Sequence, residues 1–391
     1  MPYFRPNPEA IRAIHAYSGR FYTDTLPVTL PTENYVASPF GSWLLLAVLA
    51  GSTDFSGVPE NEAAVVDILG LPIDDAATAA EEFLVNLDGA DLGIGAWFDP
   101  GFALKAPRIA SWLKANTLGT TEDRIPSQKE MDEWTSEATH GLITEFPLEI
   151  KPELMFLVAS VVYTKFEWRT PYDVVDSATH AGLASWDVDK ALFTSTAGIN
   201  FWRNGNVVFA SHVNTSDGGQ QVTSFVVVSG EVDDLGLLAL AHSTHDRHSS
   251  TERVSYYDAA TLILDANATV VFDEKLHENR SSAVLPAWEA DNTHDLELPS
   301  FGYEAISETL IIGYPDEYDG FKAKQSVVAK YGAKGFEAAA VTAFGMMRAS
   351  AAMPMNGAHR ATVAFDRPFV ALCTINFIPV FSAVIRKATE A

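Results

Sequence analysis

The residues of this 391-residue chain best spaced for chemistry are three histidines. His242, His245 and His248, in Ala-His-Ser-Thr-His-Asp-Arg-His, recur at every third position, a spacing that can bring three imidazoles toward one zinc ion. Ser, Thr, Asp and Arg surround them without apolar periodicity, so the same stretch also reads as a solvated loop. Ser111-Trp112-Leu113-Lys114 matches the Ser-x-x-Lys of β-lactamase-type enzymes, but neither a Ser-Asp-Asn nor a Lys-Thr-Gly partner accompanies it. The chain has no Gly-x-Ser-x-Gly elbow, no P-loop and no dinucleotide fingerprint. Cys373 is the only cysteine, which excludes an internal disulfide framework and any multi-cysteine metal or iron–sulfur site. No carboxylate pair stands out, because sequence does not place two of them across a cleft. These residues point away from an enzyme, and no metal or cofactor is expected.

The charge balance narrows the partners. Lys and Arg number 26 against 51 Asp and Glu, a net charge of −25. Such a field repels phosphate backbones and anionic membranes, so nucleic acid and membrane are not expected partners. The first residues carry Arg5, Glu9 and Arg12 where a signal peptide needs an apolar run, so a cytoplasmic protein is expected, with secretion open if a leader was removed. The uncharged stretch 368–385 contains Thr374, Asn376 and Pro379 and reads as two buried strands around a turn at 376–379, not as a membrane helix.

The elements that position these residues change in texture along the chain. Asn7 caps a helix with Pro8 in its first turn and Ile11, Ile14, Tyr17 and Phe21 on one face. A helix over 42–50 is apolar almost all round, as a buried one would be. Further helices are predicted over 60–69, ended by Gly70 and Pro72, over 107–116, and over 127–140 before Gly141. Strands are predicted over 91–98 and over 157–163, the latter a continuous apolar run suited to burial on both faces. More follow over 199–209, broken by the hairpin signal Asn204-Gly205, and over 222–228, 235–240, 261–264 and 269–272. Helices first and strands later argue for an α+β fold, and the lack of a linker or repeat for one domain over 1–391.

Residues 335–349 read Gly-Phe-Glu-Ala-Ala-Ala-Val-Thr-Ala-Phe-Gly-Met-Met-Arg-Ala. As a strand, one face carries Phe336, Ala338, Ala340, Thr342, Phe344 and Met346, none of them charged. Composition alone favours an Ala-rich helix or a surface loop.

The pattern Gly335-Phe336-Glu337-Ala338-Ala339-Ala340-Val341-Thr342 resembles the hinge of the reactive-centre loop of serpins, Gly-Thr/Ser-Glu-Ala-Ala-Ala-x-Thr. Phe365-Asp366-Arg367-Pro368-Phe369 is similar to the strand motif that follows that loop. Ser38-Pro39, the Trp134/Thr139/Gly141/Ile143 spacing, the run from Val158 to Trp168 and the stretch from Leu296 to Phe301 match further motifs in family order. The resemblance spans residues 7–387 and is weak over about 172–290. It is closest in kind to prokaryotic members without a signal peptide.

The resemblance implies a single α+β domain of three sheets and eight or nine helices, with an exposed reactive-centre loop over about 335–360. It also implies a suicide inhibitor of serine proteases, acting as a monomer, whose loop is cleaved and then inserted as a strand of the central sheet. A non-inhibitory binding or chaperone protein is the alternative within the family. Family spacing puts the reactive bond at Ala349–Ser350, suited to elastase- or subtilisin-like enzymes, with Arg348–Ala349 as runner-up for trypsin-like ones. Ser38, Ser160, Trp168 and Gln325 fall at the shutter and breach beneath the sheet. Four positions depart from the family pattern: Phe336 replaces Thr or Ser, Ser160 a buried Asn, Gln325 a His, and Gly41 a second Ser. Lys334 sits where an acidic residue is common.

Overall fold

A computed structural model describes residues 6–101, 121–179, 183–246, 249–276, 278–311, 320–337 and 357–391. Eight α-helices fall among them. The first, Pro8–Thr25, starts where the Asn7 side chain accepts the Glu9 N–H at 2.9 Å, and it buries Ile14, Tyr17 and Phe21. The second, Pro39–Ser52, is apolar on nearly all sides and buried on nearly all sides, with Ser38 as its cap. Pro59–Leu69 ends at Gly70, whose φ of 71° is the left-handed conformation glycine adopts freely. A helix beyond the sequence expectation, Ile73–Asn86, follows Pro72 directly and buries Phe83 and Leu84. Gln128–Ala138 opens on a reciprocal cap between Ser127 and Glu130. The helix expected over 107–116, with its Ser111 and Lys114, lies outside the described residues.

Two predicted strands are helices. The run 235–240 belongs to Asp234–Ser243, which Asp233 caps by accepting the Gly236 N–H at 2.7 Å. The run 261–264 belongs to the end of Tyr256–Leu262, capped by Ser255, with Leu264 outside it and 81% exposed. A six-residue apolar run suits a buried helix as well as a buried strand, and here the capping side chains decide. The eighth helix is Tyr303–Ile311.

The strands form ladders of seven, five, four and three. The seven-stranded ladder carries the C-terminal hairpin Phe369–Ile375 and Ile378–Ile385, turned through Asn376 and Phe377, both at positive φ. The three remaining strand expectations for the later part of the chain hold as well: Gly198–Asn204 and Val207–Thr215 turn at Gly205, Gln221–Ser229 follows, and Ala268–Asp273 takes up 269–272.

The central layer has two halves. Thr121–Glu122, Asp91–Phe98 and Phe156–Tyr163 make the three-stranded half; Trp288–Asp295, Lys324–Tyr331, Gly335–Glu337 and Lys165–Glu167 make the four-stranded half. The chain joins them through buried Thr164. Phe156–Tyr163 alternates instead of burying both faces: Leu157, Ala159 and Tyr163 are buried and the rest half-buried. Among the described residues it pairs only with Asp91–Phe98, so its second edge lacks the cover that a fully buried strand has.

Candidate functional site

The site lies where the two halves meet. Gly335–Glu337 forms a short strand antiparallel to both neighbours: Tyr331 and Phe166 face Phe336, while Lys330 and Lys165 face Glu337. Glycine is required at 335, since a Cβ there would stand 2.4 Å from the Phe166 carbonyl oxygen. Phe336 is 3% exposed. Its ring sits among those of Phe166, Trp288 and Phe381, with centroids 5.6, 6.2 and 6.4 Å away. Trp168 fastens the turn before the hinge, because its backbone N–H donates to the Lys334 carbonyl and its indole N–H to the Gly332 carbonyl, each at 2.9 Å. Tyr172 bonds Tyr331 through their hydroxyls and meets His212 Nε2 at 2.6 Å. Burial pushes the His212 pKa down to about 4, so this imidazole is neutral at pH 7.

Below the hinge, the inner edges of Phe156–Tyr163 and Lys324–Tyr331 pair with no strand among the described residues. Each half is tied instead to the first turn of Pro39–Ser52. Gln325 brackets Ser38, its oxygen accepting the Ser38 N–H at 3.0 Å and its amide donating to the Ser38 carbonyl at 2.8 Å. Ser38 Oγ donates to the Val380 carbonyl at 2.8 Å, and Ser160 Oγ donates to the Gly41 carbonyl at 3.1 Å. Gly41 leaves the room this needs: a Cβ would come within 3.1 Å of Val162 and 3.2 Å of Ser38 Oγ.

Two residues that sequence reading missed complete the fastening. Asn292 accepts the Val36 N–H at 2.6 Å, and His294 Nε2 lies 2.7 Å from the Val36 carbonyl oxygen. His294 pairs with Gln325 across the ladder, so a histidine does stand beside this network, one strand over. Burial lowers its pKa, so it donates as a neutral ring. The only sequence signal was the alternation of Asn292 and His294 in a polar strand.

The structure brings Gly335, Phe336, Glu337 and Trp168 together at the upper end, and Ser38, Ser160 and Gln325 at the lower. Ala338, Ala339, Ala340, Val341 and Thr342, expected in the hinge, and Arg348, Ala349 and Ser350, expected at the reactive bond, lie outside the described residues. The histidine run is not a solvated loop. His242 is buried in Asp234–Ser243, with Nδ1 2.7 Å from His15 Nδ1 and Nε2 2.9 Å from Tyr22 Oη, while His245 stacks on His15. His248 is not described, and among the described residues no cluster is arranged to hold a metal ion.

No family model matches the sequence. An uncharacterised serpin-like protein of fowlpox virus is 22% identical over 160 residues, a match covering 39% of this chain and 43% of that protein. Serpin48 of the insect Tenebrio molitor superposes with a TM-score of 0.64 at 14% identity, covering 98% of this chain and 99% of that one. The thermophilic serpin tengpin in its native state gives 0.62 at 16% identity, over 99% and 96%. Thyroxine-binding globulin in complex with thyroxine gives 0.61 at 15% identity, over 98% and 99%. Over nearly the whole of these chains the helices and sheets superpose, so this chain has the serpin fold.

Proposed function

We propose that this protein is a conformational-trap inhibitor of serine proteases, in which residues 338–356 are cut and then enter the central sheet as a new strand. The observation that carries this reading is the seated hinge above two edges that pair with no described strand. The registers support it further. Lys330 and Lys165 both face Glu337; five residues along each ladder, Gln325 and Ser160 would both face Thr342. Thr342 would then arrive between the two side chains that tie the halves to Pro39–Ser52, so insertion would meet a polar pair, not a wall of apolar groups. About twelve residues gaining ladder bonds at a net ~0.5–1.5 kcal/mol each supply on the order of 10 kcal/mol. Distorting a protease triad takes only a few, since catalysis depends on fine alignment.

The test is incubation with a panel of elastase-, subtilisin- and trypsin-like enzymes followed by denaturing electrophoresis. A monomeric inhibitor yields a band near the summed mass that survives boiling, and a released peptide beginning at Ser350. Thr342→Arg, which would bury an unpaired charge, turns inhibitor into substrate, while Val341→Arg on the opposite face continues to trap. Cleaved product alone across the whole panel, with no stable adduct, would falsify the reading. It would leave a non-inhibitory carrier, which the already seated Phe336 ring favours.

A further inference from the structure

A cleft walled by Asn200, Arg253, Val254, Ser255, Tyr256 and Asn279 has a volume of ≈ 380 Å³, inside the range of about 300–1,000 Å³ common for small-molecule sites. It lies at the edge of the seven-stranded ladder, where Glu252–Val254 pairs with Gly198–Asn204. It shares no residue with the hinge or with the fastening beneath the central layer, so nothing about it depends on whether a loop inserts.

The polar wall offers hydrogens and has little oxygen left to offer. Arg253 Nη2 donates to Asn200 Oδ1, and Asn279 Oδ1 accepts the His359 N–H at 2.8 Å. With both amide oxygens engaged, the two amide NH2 groups and the rest of the guanidinium are left as donors. Ser255 Oγ is occupied as well, donating to Asp258 Oδ2 at 2.6 Å and accepting the Asp258 N–H at 3.1 Å. Tyr256 Oη donates to the Ile199 carbonyl at 2.9 Å, which leaves its ring as an apolar wall beside buried Val254.

No carboxylate answers this positive charge. Among the described residues every arginine except Arg253 and Arg280 forms an ion pair. That is an unusual state in a chain where 51 acidic residues face 26 Lys and Arg. Strand alternation explains it for Arg253. Glu252 stands with its partner Arg203 on one face of the ladder, while Asn200 and Arg253 stand on the other.

We propose that this cleft binds a small organic monocarboxylate. Its carboxylate would sit on Arg253 between the amides of Asn200 and Asn279, and its apolar body on Val254 and Tyr256. A guanidinium takes a carboxylate through two parallel N–H bonds, a geometry the planar fork favours. One unpaired cation balances one negative charge, and the −25 field of the molecule opposes a phosphate dianion more strongly than a monoanion.

The test titrates the full-length protein with phenylacetate, followed by ligand-observed NMR. Phenylacetamide serves as the neutral twin and inorganic phosphate as the rival anion. The parent should bind phenylacetate saturably with a Kd of about 1 mM or tighter, and phenylacetamide about tenfold or more weakly. Arg253→Gln should weaken phenylacetate binding by about tenfold or more, whereas Arg280→Gln, which removes the other unpaired arginine, should leave it unchanged. Asn200→Asp and Asn279→Asp keep the acceptor oxygens of the wall but bring a negative charge to the cleft, so both should lose binding. Melting temperatures identify which variants are folded. Equal binding of acid and amide, tighter binding of phosphate, or equal affinity in Arg253→Gln and Arg280→Gln would each overturn the site. So would undiminished binding in both Asp variants, or no saturable binding by the parent up to about 10 mM phenylacetate.

Discussion

Phe336 shows how a single side chain both departs from a pattern and obeys the fold. Its ring fills a nest supplied by Phe166, Trp288 and Phe381, which come from three separate strands. The departure was legible in the sequence, but the nest was not, because nothing local links positions 166, 288, 336 and 381. Phe336→Thr leaves that nest partly empty and should lower the unfolding free energy by about 2–4 kcal/mol, as large-to-small core changes do. Urea midpoints check the loss, and an unchanged midpoint would show that the ring holds nothing. If the seated ring also restrains the hinge, the same variant traps more protease per cleavage. The buried histidines make a second prediction. Burial lowers His15 and His212 to about 4, so the folded state prefers them neutral and the unfolded state takes up their protons first. Their stability is fully present above pH ~6.5 and is lost as pH falls toward 4, at about 3 kcal/mol for each. Burial lowers His242, His245 and His294 too, which adds to the same acid limb. Urea midpoints at pH 7.5 and 4.5 should therefore differ clearly, and His15→Gln should narrow the gap; a midpoint flat across that range contradicts the assignment.

Helix and strand identity followed the strength of local signals. Where a cap, a period and a length agreed, as in Pro59–Leu69 and Gln128–Ala138, sequence and structure coincide within a residue or two, and Pro8–Thr25 starts where its cap was read. Where only a short apolar run was available, as over 235–240, it fitted a strand and a helix equally. The deciding signal, Asp233 two residues upstream, carries its weight only once the helix exists to be capped. Asp233→Ala should accordingly cost about 1 kcal/mol, the ordinary effect of losing an N-cap, and Asp233→Asn or Asp233→Ser should restore most of it. Equal loss in all three variants would mean that the side chain acts through something other than the Gly236 N–H. The apolar run over 157–163 failed differently. Its composition suited burial on both faces, but among the described residues only Asp91–Phe98 pairs with it, and no local pattern reports whether a strand has one such neighbour or two.

At the scale of the whole molecule the two halves of the central layer are fastened unequally. Among the described residues, the four-stranded half holds residues 36–38 through Asn292, His294 and both ends of Gln325, whereas the three-stranded half reaches Pro39–Ser52 through the Ser160 bond to the Gly41 carbonyl. A sheet that opens along its least-bonded seam would move the three-stranded half, carrying Gln128–Ala138 with it, while the other half stays on the core. Hydrogen exchange can follow this by segment. After one clean cut within 338–356, the inner-edge amides of Phe156–Tyr163 and Lys324–Tyr331 should become protected, because a new strand would pair with them. The melting temperature should rise by tens of degrees, since ~1 kcal/mol moves a chain of this length by about 2 °C or somewhat less. Residues 36–38 and 292–294 should exchange as before, and Gln128–Ala138 should be the helix whose exchange changes. Protection gained on both inner edges together with that asymmetry supports a sliding half. Protection without asymmetry keeps the new strand but discards the seam. Unchanged amides on both edges, with a melting temperature no higher than that of the uncut chain, would mean that no strand enters.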